Sequence, residues 1–146
     1  MFHTAKFIPQ APVRQFVVLW HDLPRDSSRP SHWDLMVEQE FGGLATWAAD
    51  EFPLAPHEKP VRVRRLDDHR VEYLTYQGAV SGHRGTVSRR AWGQATWLRD
   101  SVDEACFKLQ GISCLTPGQS IELTLTVTIE VRRWSRTSWL SAVGCR

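Results

Sequence analysis

The stretch His-Trp-Asp-Leu-Met-Val-Glu, residues 32–38, has the alternation of a β-strand. Side chains of a strand point to opposite faces with a period of two, so Trp33, Leu35 and Val37 share one face. That apolar set is expected to pack in a core, because a slip of one residue would expose all of it. The opposite face is therefore expected to line a cavity or to face solvent. It carries His32, Asp34, Met36 and Glu38.

Strand-like segments lie on both sides of this stretch. Residues 16–20 are a run of β-branched and aromatic side chains, which is typical of a buried strand, and the run ends at His21. Residues 22–31 are rich in proline, serine and aspartate and are predicted as a loop, and Gly42-Gly43 predicts a turn. Further strands are predicted at residues 44–49, 61–66, 71–76, 86–90, 95–98 and 121–131.

Helical patterns are almost absent. Residues 101–106 are predicted as a short helix, because Asp103 and Glu104 near its start would suit the helix dipole. Gly93 is predicted to make a turn between two of the strands.

Many short strands with so little helix predict a mostly β fold, a small closed or partly closed β-barrel with one or two short helices. Closure into a barrel would also remove exposed sheet edges. With 146 residues and no internal repeat or clear linker, the chain is expected to form one domain. We expect an N-terminal arm at residues 1–14, the barrel domain at residues 15–134 and a C-terminal tail at residues 135–146.

The composition argues against a membrane protein and against a disulfide-rich secreted one. No apolar run approaches the roughly 20 residues that a membrane span requires, and the first residues lack the apolar region of a signal peptide. The three cysteines form no CxxC motif, which disfavours a disulfide framework and a thiolate zinc site. A cytoplasmic protein is therefore expected.

Arginines are clustered although the net charge is only +2. The clusters lie within residues 62–65, 84–90 and 132–136. Arginines at alternate strand positions can line one face and bind phosphates, but a solvated strand face has the same pattern. Most of the seven tryptophans are expected in the core or at the barrel rim, and base stacking is the alternative for individual rings.

His21, His32 and Asp34 form a candidate metal site. Two neutral imidazoles and a carboxylate suit Mn²⁺, Zn²⁺ or Fe²⁺, and three ligands leave positions open for water or substrate. His32 and Asp34 share a strand face, and His21 can lie beside them if its strand forms a hairpin with theirs. The same spacing also occurs in histidines scattered over a surface, so that interpretation remains an alternative.

The order of the surrounding residues resembles the 3′-phosphoesterase domain family of bacterial DNA ligase D. The resemblance extends over roughly residues 15–98, in blocks that follow the family's order. These blocks are residues 16–22, 32–38, Trp47, Pro53-Leu54, 68–73, 76–78 and the glycine-rich residues 82–87.

The resemblance implies a small β-barrel that binds Mn²⁺, or another divalent metal such as Zn²⁺, and trims 3′ ends during double-strand-break repair. The three candidate ligands match the family's metal ligands. His69 matches its phosphate-contacting catalytic histidine, Tyr73 a tyrosine of the phosphate pocket, and Glu38 an acidic residue with an outer-shell role. The implied partners are nucleic-acid 3′ ends and proteins of non-homologous end joining, with no membrane. From the residues alone, a solvated loop histidine and a core tyrosine remain the alternatives for His69 and Tyr73.

Three positions depart from the family pattern. Met36 stands where the family carries an arginine, and a thioether cannot make a bidentate contact to phosphate. Leu19 replaces a polar glutamine, and Val61 falls where a further arginine is expected. The loop at residues 22–31 is also longer than in the family. The candidate substitutes for the missing phosphate ligands are Arg62, Arg64 and Arg84.

These observations leave three hypotheses for the function. The first is a metal-dependent 3′-end phosphoesterase acting on DNA or DNA–RNA ends. The second is a non-catalytic module of the same fold that binds nucleic-acid ends, which Met36 favours. The third is a hydrolase of another small phosphoester. The retained metal-ligand set favours an enzyme.

Overall fold

The computed structural model describes residues 12–55, 59–115 and 124–145. One short 3₁₀ helix, Val71–Leu74, lies among strands in these residues. The strands of the described chain are Arg14–Asp22 (β1), His32–Glu38 (β2), Leu44–Ala49 (β3), Val61–His69 (β4), Gly78–Ala79 (β5), Thr86–Asp100 (β6), Glu104–Cys114 (β7), Thr124–Arg132 (β8) and Thr137–Cys145 (β9).

All the strands belong to one antiparallel sheet, in the order β1-β2-β3-β4-β9-β8-β7-β6-β5. A further pairing of β1 with β6 closes eight strands into a ring, and β5 extends the sheet beyond β6. The contact between β4 and β9 is short, with register pairs only from Val61 to Val63, so the ring is partly closed and not a regular barrel. The predicted mostly β, partly closed barrel is confirmed.

The core lies inside this ring, where every ring strand contributes alternate apolar side chains. Leu35 and Val37 are fully buried there, and Trp33 packs against the same cluster. The parity predicted for residues 32–38 is therefore confirmed. Phe107, together with Trp47 and Trp97, fills much of the interior with rings in tilted and edge-to-face contact.

A second apolar cluster covers the outer face of the ring at β1, β2 and β6. Val17, Leu19 and Met36 are its fully buried members, and Leu74 of the 3₁₀ helix packs on them from outside. The outer face of these strands is thus buried as well. The second apolar cluster holds the 3₁₀ helix against β1 and β2. Side chains of this helix and of the end of β4 therefore lie around His32 and Asp34 of β2.

Two sequence predictions of local structure are wrong. Residues 71–76 were predicted as a strand, but residues 71–74 form the 3₁₀ helix, because burying Leu74 against Val17 and Leu19 outweighs their β propensity. Residues 101–106 are predicted as a helix, but Ser101 and Glu104 close a tight turn through reciprocal hydrogen bonds. Strand β7 then begins at Glu104, and its alternate side chains enter the core.

The turn predicted at Gly93 is also wrong, since β6 runs continuously from Thr86 to Asp100. A Cβ atom at Gly93 would lie 2.8 Å from the carbonyl oxygens of Gln110 and Gly111. The glycine is therefore required by the close approach of β7 at a register shift, and not by a change of chain direction.

The C-terminal boundary of the domain is corrected as well. Residues 135–146 are predicted as a tail, but Thr137–Cys145 is strand β9, which pairs with both β8 and β4. Leu140 and Ala142 of β9 are buried in the core, so this segment completes the ring. Most of the predicted arm, residues 1–11, and the start of the strand predicted at residues 121–131 lie outside the described residues. Within the described part of the chain, no helix has the length and apolar character needed to cross a membrane.

Candidate metal centre

The hairpin of β1 and β2 brings the three candidate ligands together. His21 pairs directly with His32, and Asp34 lies two positions further along the same outer face of β2. One ligand atom from each residue lies within 4.8 Å of the others. The convergence predicted from the sequence is therefore present.

The Asp34 carboxylate lies between the two imidazole rings. Its Oδ1 atom is 3.2 Å from Nε2 of His32, and its Oδ2 atom is 3.6 Å from Nδ1 of His21. His32 and Asp34 are 1% and 2% exposed, whereas the side chain of His21 is 15% exposed and opens to the cavity. A carboxylate this deeply buried requires compensation by positive charge or by hydrogen bonds.

Backbone carbonyl groups fix the orientation of both rings. Nε2 of His21 donates a hydrogen bond to the carbonyl of Arg84 at 2.6 Å, and Nδ1 of His32 donates one to the carbonyl of Pro30 at 2.9 Å. A carbonyl can only accept, so in the neutral rings the other nitrogen carries the lone pair and faces Asp34. Ligand histidines of metal sites commonly have this arrangement, with the distal N–H donating to a backbone carbonyl.

Two buried atoms at the centre of the group face each other without a hydrogen bond while His32 is neutral. Nε2 of His32 and Oδ1 of Asp34 are 3.2 Å apart, but both are then acceptors, although most buried polar atoms in proteins are paired. A divalent cation would satisfy both atoms, and the donor set of two imidazoles and a carboxylate suits such an ion. The residues therefore fit the metal that the sequence predicts.

The pKa values of this pair move apart in the metal-free protein. The contact with the Asp34 carboxylate raises the pKa of His32, against the opposing effect of burial. Burial alone would raise the pKa of Asp34, but the contacts with His21 and His32 outweigh it and lower that pKa. Asp34 is therefore ionised at neutral pH, as a metal ligand must be.

A glycine positions the carbonyl that holds His21. Gly85 has a left-handed φ of +76°, and a Cβ atom there would overlap the carbonyl oxygen of Asp22. The backbone of residues 82–85 can therefore press against the end of β1, which puts the Arg84 carbonyl against His21. His83, in the same loop, also has a positive φ, of 55°. No sequence pattern predicts these contacts, because every residue type carries the same backbone carbonyl.

The three residues lie at the floor of a cavity of about 680 Å³, together with Met36. One wall is the loop after β1, with Ser27, Ser28 and Arg29. A second wall is the end of β4 with the 3₁₀ helix, and a third is the loop before β6. The second and third walls contribute Leu66, Asp67, Asp68, His69, Arg70, Tyr73, Val80, His83 and Arg84.

His69 and Tyr73, the predicted catalytic residues, both line this cavity. Nδ1 of His69 donates to the carbonyl of Asp67 at 2.9 Å, and its ring contacts Tyr73 edge to face at a centroid distance of 5.7 Å. These contacts orient the imidazole and leave Nε2 without a hydrogen-bond partner among residues 12–55, 59–115 and 124–145. That nitrogen is available to a bound molecule.

The candidate phosphate-binding arginines are placed differently from one another. Arg84 lines the cavity, and its guanidinium donates to the carbonyl of Ser81 at 2.7 Å. Arg62 and Arg64 do not line it. They project from the outer face of β4, and Arg64 is separated from Asp34 by Ala48 of β3.

Glu38 is not part of the cavity either. It lies at the far end of β2, where its carboxylate accepts a hydrogen bond from the backbone N–H of Gln15 at 3.1 Å. The outer-shell contacts to the ligand rings come instead from the carbonyls of Pro30 and Arg84.

Two cavity arginines are not among the residues predicted from the sequence. Arg29 and Arg70 both line the walls. Arg70 adjoins His69 in one of the sequence blocks that carry the family resemblance, so its place in the cavity could have been predicted. Arg29 belongs to the long loop after β1, whose course no sequence pattern predicts.

Comparison with known proteins adds no identification: no protein-family model matches the chain, and no curated protein matches it.

Proposed function

We propose that this chain is a metal-dependent 3′-end phosphoesterase that acts on DNA or DNA–RNA ends in the cytoplasm during strand-break repair. One observation carries the proposal: two unsatisfied ligand atoms of His32 and Asp34 lie at the floor of a cavity whose wall presents His69. The choice of a nucleic-acid 3′ end as substrate rests on the resemblance in residues 16–87, and the cavity chemistry supports a phosphoester more generally.

His21, His32 and Asp34 would hold the cation, which is Mn²⁺ or a similar divalent metal. When bound, such an ion polarises a phosphoryl oxygen and lowers the pKa of coordinated water. The carbonyls of Pro30 and Arg84 orient the two rings so that the free nitrogen of each neutral imidazole faces Asp34.

His69 is the proposed proton donor. With Nδ1–H held by the Asp67 carbonyl, only the protonated imidazolium form of His69 can donate from Nε2 to a phosphoryl oxygen and pass that proton to the leaving oxygen, which leaves the neutral ring. The contact with Asp67 and the ring of Tyr73 hold the imidazole in position for this role. Arg29, Arg70 and Arg84 on the walls supply the positive charge that a phosphate requires.

Met36 supports a second candidate function, a module that binds 3′ ends without hydrolysing them. The side chain is 1% exposed and lies at the cavity floor, where the family pattern has an arginine. A thioether leaves the phosphoryl group without a charge-assisted contact at that point. Binding would remain possible through the wall arginines, while stabilisation of the developing charge would be weaker.

The test is hydrolysis of a primer–template that ends in a 3′-ribonucleotide or a 3′-phosphate, with and without Mn²⁺, resolved on a sequencing gel. The proposal expects metal-dependent trimming by the wild type, and no trimming by His32→Ala or His69→Ala. Glu38→Gln is the matched control, since Glu38 lies on the strand face of Asp34 but outside the cavity. A wild type that binds these ends and leaves them intact would favour the binding module. Hydrolysis of a small phosphoester such as p-nitrophenyl phosphate, without action on nucleic acid, would favour the third hypothesis.

A further inference from the structure

A second arginine-rich surface lies at the turn that joins β8 to β9. Trp134, in this turn, is 101% exposed, so no residue in the described part of the chain covers its ring. Arg133 and Arg136 lie on either side of it, and Arg132 ends β8. We call this region, together with the neighbouring outer face of β4 and β9, the arginine surface. It consists of Arg62, Arg64, Arg132, Arg133, Trp134, Arg136 and Trp139.

Internal contacts stabilise the turn. The backbone N–H of Arg136 donates to the carbonyl of Arg132 at 2.8 Å, and Arg136 adopts a left-handed φ of 53°. The guanidinium of Arg132 lies 4.5 Å from the centre of the Trp139 ring, whose N–H donates to Thr137. The exposed ring of Trp134 is thus presented on an ordered hairpin, which lowers the entropic cost of binding through it.

The arginine surface and the cavity lie on the same outer face of the sheet. Arg62 pairs with Trp139 of β9, and Arg64 pairs with Ala48 of β3, which in turn pairs with Asp34. Successive strands are about 4.8 Å apart, so the backbone of Arg64 is roughly 10 Å from that of Asp34. A chain that leaves the cavity across β3 would reach Arg64 and Arg62 before the hairpin.

The charge of this surface suits a polyanion. Three carboxylates lie near its five arginines: Asp103 at 3.5 Å from Arg133, Glu130 opposite Trp139, and Asp50, which follows the Ala49 that pairs with Val63. The arginines outnumber these carboxylates, on a protein whose net charge is only +2. Lysine is absent from the surface, and arginine with tryptophan is the pairing that combines phosphate contacts with base stacking.

We infer that the arginine surface binds single-stranded nucleic acid. The inference rests on the proposed function for the choice of nucleic acid among polyanions. A flexible single strand can follow the outer face around a ring of eight strands, whereas a duplex with a persistence length of about 50 nm cannot. Trp134 offers a free ring for stacking on an unpaired base, and duplex bases are not accessible in this way.

The experiment measures fluorescence anisotropy of a labelled single strand of about 16 nucleotides, in EDTA so that no hydrolysis occurs. Trp134→Ala is expected to weaken binding about tenfold, because stacking of one base on an aromatic ring is worth that much. Arg136→Asn removes a charge at a position where asparagine accepts a positive φ. It is expected to reduce the slope of log affinity against log salt by about 0.7.

Two matched controls separate this surface from generic effects. Phe41→Ala removes an aromatic side chain that is 95% exposed at another hairpin, between β2 and β3. Arg25→Gln removes an exposed arginine in the loop after β1, which does not line the cavity. Both variants are expected to bind within about twofold of the wild type, as surface changes away from a contact do.

Several outcomes would overturn the inference: a wild type that does not bind the single strand, a Trp134→Ala protein that binds as well as the wild type, or tighter binding of the same sequence as a duplex. Binding of phosphatidylserine vesicles that is lost in Trp134→Ala, with no loss of oligonucleotide binding, would assign the surface to a membrane instead.

The proposed function is tested separately, with a dinucleotide too short to span from the cavity to the hairpin. Hydrolysis of that substrate by a protein that fails to bind the longer strand would remove this inference alone.

Discussion

The floor and the walls of the cavity differ in how firmly the fold holds their side chains. At the floor, His32 and Asp34 belong to β2, which is paired on both sides and packed on both faces. On the walls, Arg84 lies in a loop and is exposed, and Arg29 belongs to another loop. Ligand geometry is thus set by the sheet, and phosphate contacts are set by loops.

Under the proposed function, this difference would account for Met36 at a position where the resembled family carries an arginine, while the ligand set is kept. Met36 has joined the second apolar cluster, where it is buried against Leu19 and Val17. Losing a metal ligand would leave buried unpaired charge, whereas a lost phosphate contact can be supplied from a wall. The predictions below test this contrast in order of the expected effect.

The largest effect is expected at the floor. Asp34→Asn should weaken Mn²⁺ binding more than about a hundredfold, since loss of outer-shell contacts alone costs 10- to 100-fold. Isothermal titration calorimetry measures this, with Glu38→Gln as the control on the same strand face. If Asp34→Asn bound Mn²⁺ as tightly as the wild type, the candidate metal centre would be wrong.

The next effect is expected where a wall touches the floor. Gly85→Ala should push residues 82–85 away from Asp22, withdraw the Arg84 carbonyl from His21, and weaken Mn²⁺ binding about 10- to 100-fold. Gly82→Ala is the matched control, because Gly82 has a similar φ of +75° but no backbone atom among its neighbours within 4 Å. Equal losses in the two variants would mean that backbone strain alone is responsible, and that the overlap with Asp22 has no special role.

A pH titration sharpens the same contrast. The pKa of His32 is raised above the ordinary value of 6.5 in the absence of metal. At a pH below that pKa Mn²⁺ must displace a proton from His32, so its affinity should fall about tenfold for each unit by which the pH is lowered. The stability of the metal-free protein depends on pH in the opposite direction. The raised pKa of His32 stabilises the fold fully at a pH below the pKa of the unfolded state, and this stabilisation is lost as the pH rises through the pKa of the folded state. Asp34, with its lowered pKa, stays ionised over this range.

Melting temperatures measured between about pH 5 and pH 8, with and without Mn²⁺, should therefore converge at the acidic end. His32→Ala should lose most of the pH dependence of the metal effect. A metal-induced rise in melting temperature that is the same at every pH would contradict ligation by His32.

A smaller effect is expected from restoring the missing cation. In Met36→Arg the guanidinium can extend from the floor into the cavity, and one charge-assisted contact to phosphate is worth about 1.5–3 kcal/mol. Turnover on a 3′-phosphate should rise at least about tenfold, at the cost of some stability because Met36 is buried. Met36→Leu controls for packing and should leave turnover unchanged. No gain from Met36→Arg in a stable protein would favour the binding module.

The sequence predicted the strand core well, because alternation over residues 32–38 and 124–131 records which side chains face inward. It failed where a tertiary contact decided the structure. Leu74 became part of a 3₁₀ helix because a second apolar layer was available to it, and Gly93 stayed in a strand because β7 approached too closely for a side chain. Neither partner is near in sequence, so no local pattern could reveal it.

The same distinction holds for the candidate site. The shared face of His32 and Asp34 could be predicted from strand parity, whereas the place of His21 beside them depended on a hairpin of β1 and β2 and on the family resemblance. The carbonyls of Pro30 and Arg84 could not be predicted, since any residue type carries the same backbone group. Arg62 and Arg64 are predicted as phosphate ligands because they lie next to Val61, where the resembled family carries an arginine, and nearness in sequence does not give their distance from the cavity.

The smallest effect is therefore expected from these two arginines on a short substrate. Arg62→Gln and Arg64→Gln should change hydrolysis of a dinucleotide 3′-phosphate by less than about twofold, because neither side chain lines the cavity. Arg70→Gln, at the cavity wall, should cost about tenfold as the matched comparison, since a charge-assisted contact is lost. On a strand of about 16 nucleotides Arg64 should matter more than it does on the dinucleotide. Arg64→Gln should then weaken binding and reduce its salt dependence, as the loss of a phosphate contact does. A large loss of dinucleotide hydrolysis in Arg64→Gln would mean that β4 moves toward the cavity floor when substrate binds. The side chains of the walls would then be held more firmly than the comparison with the floor implies.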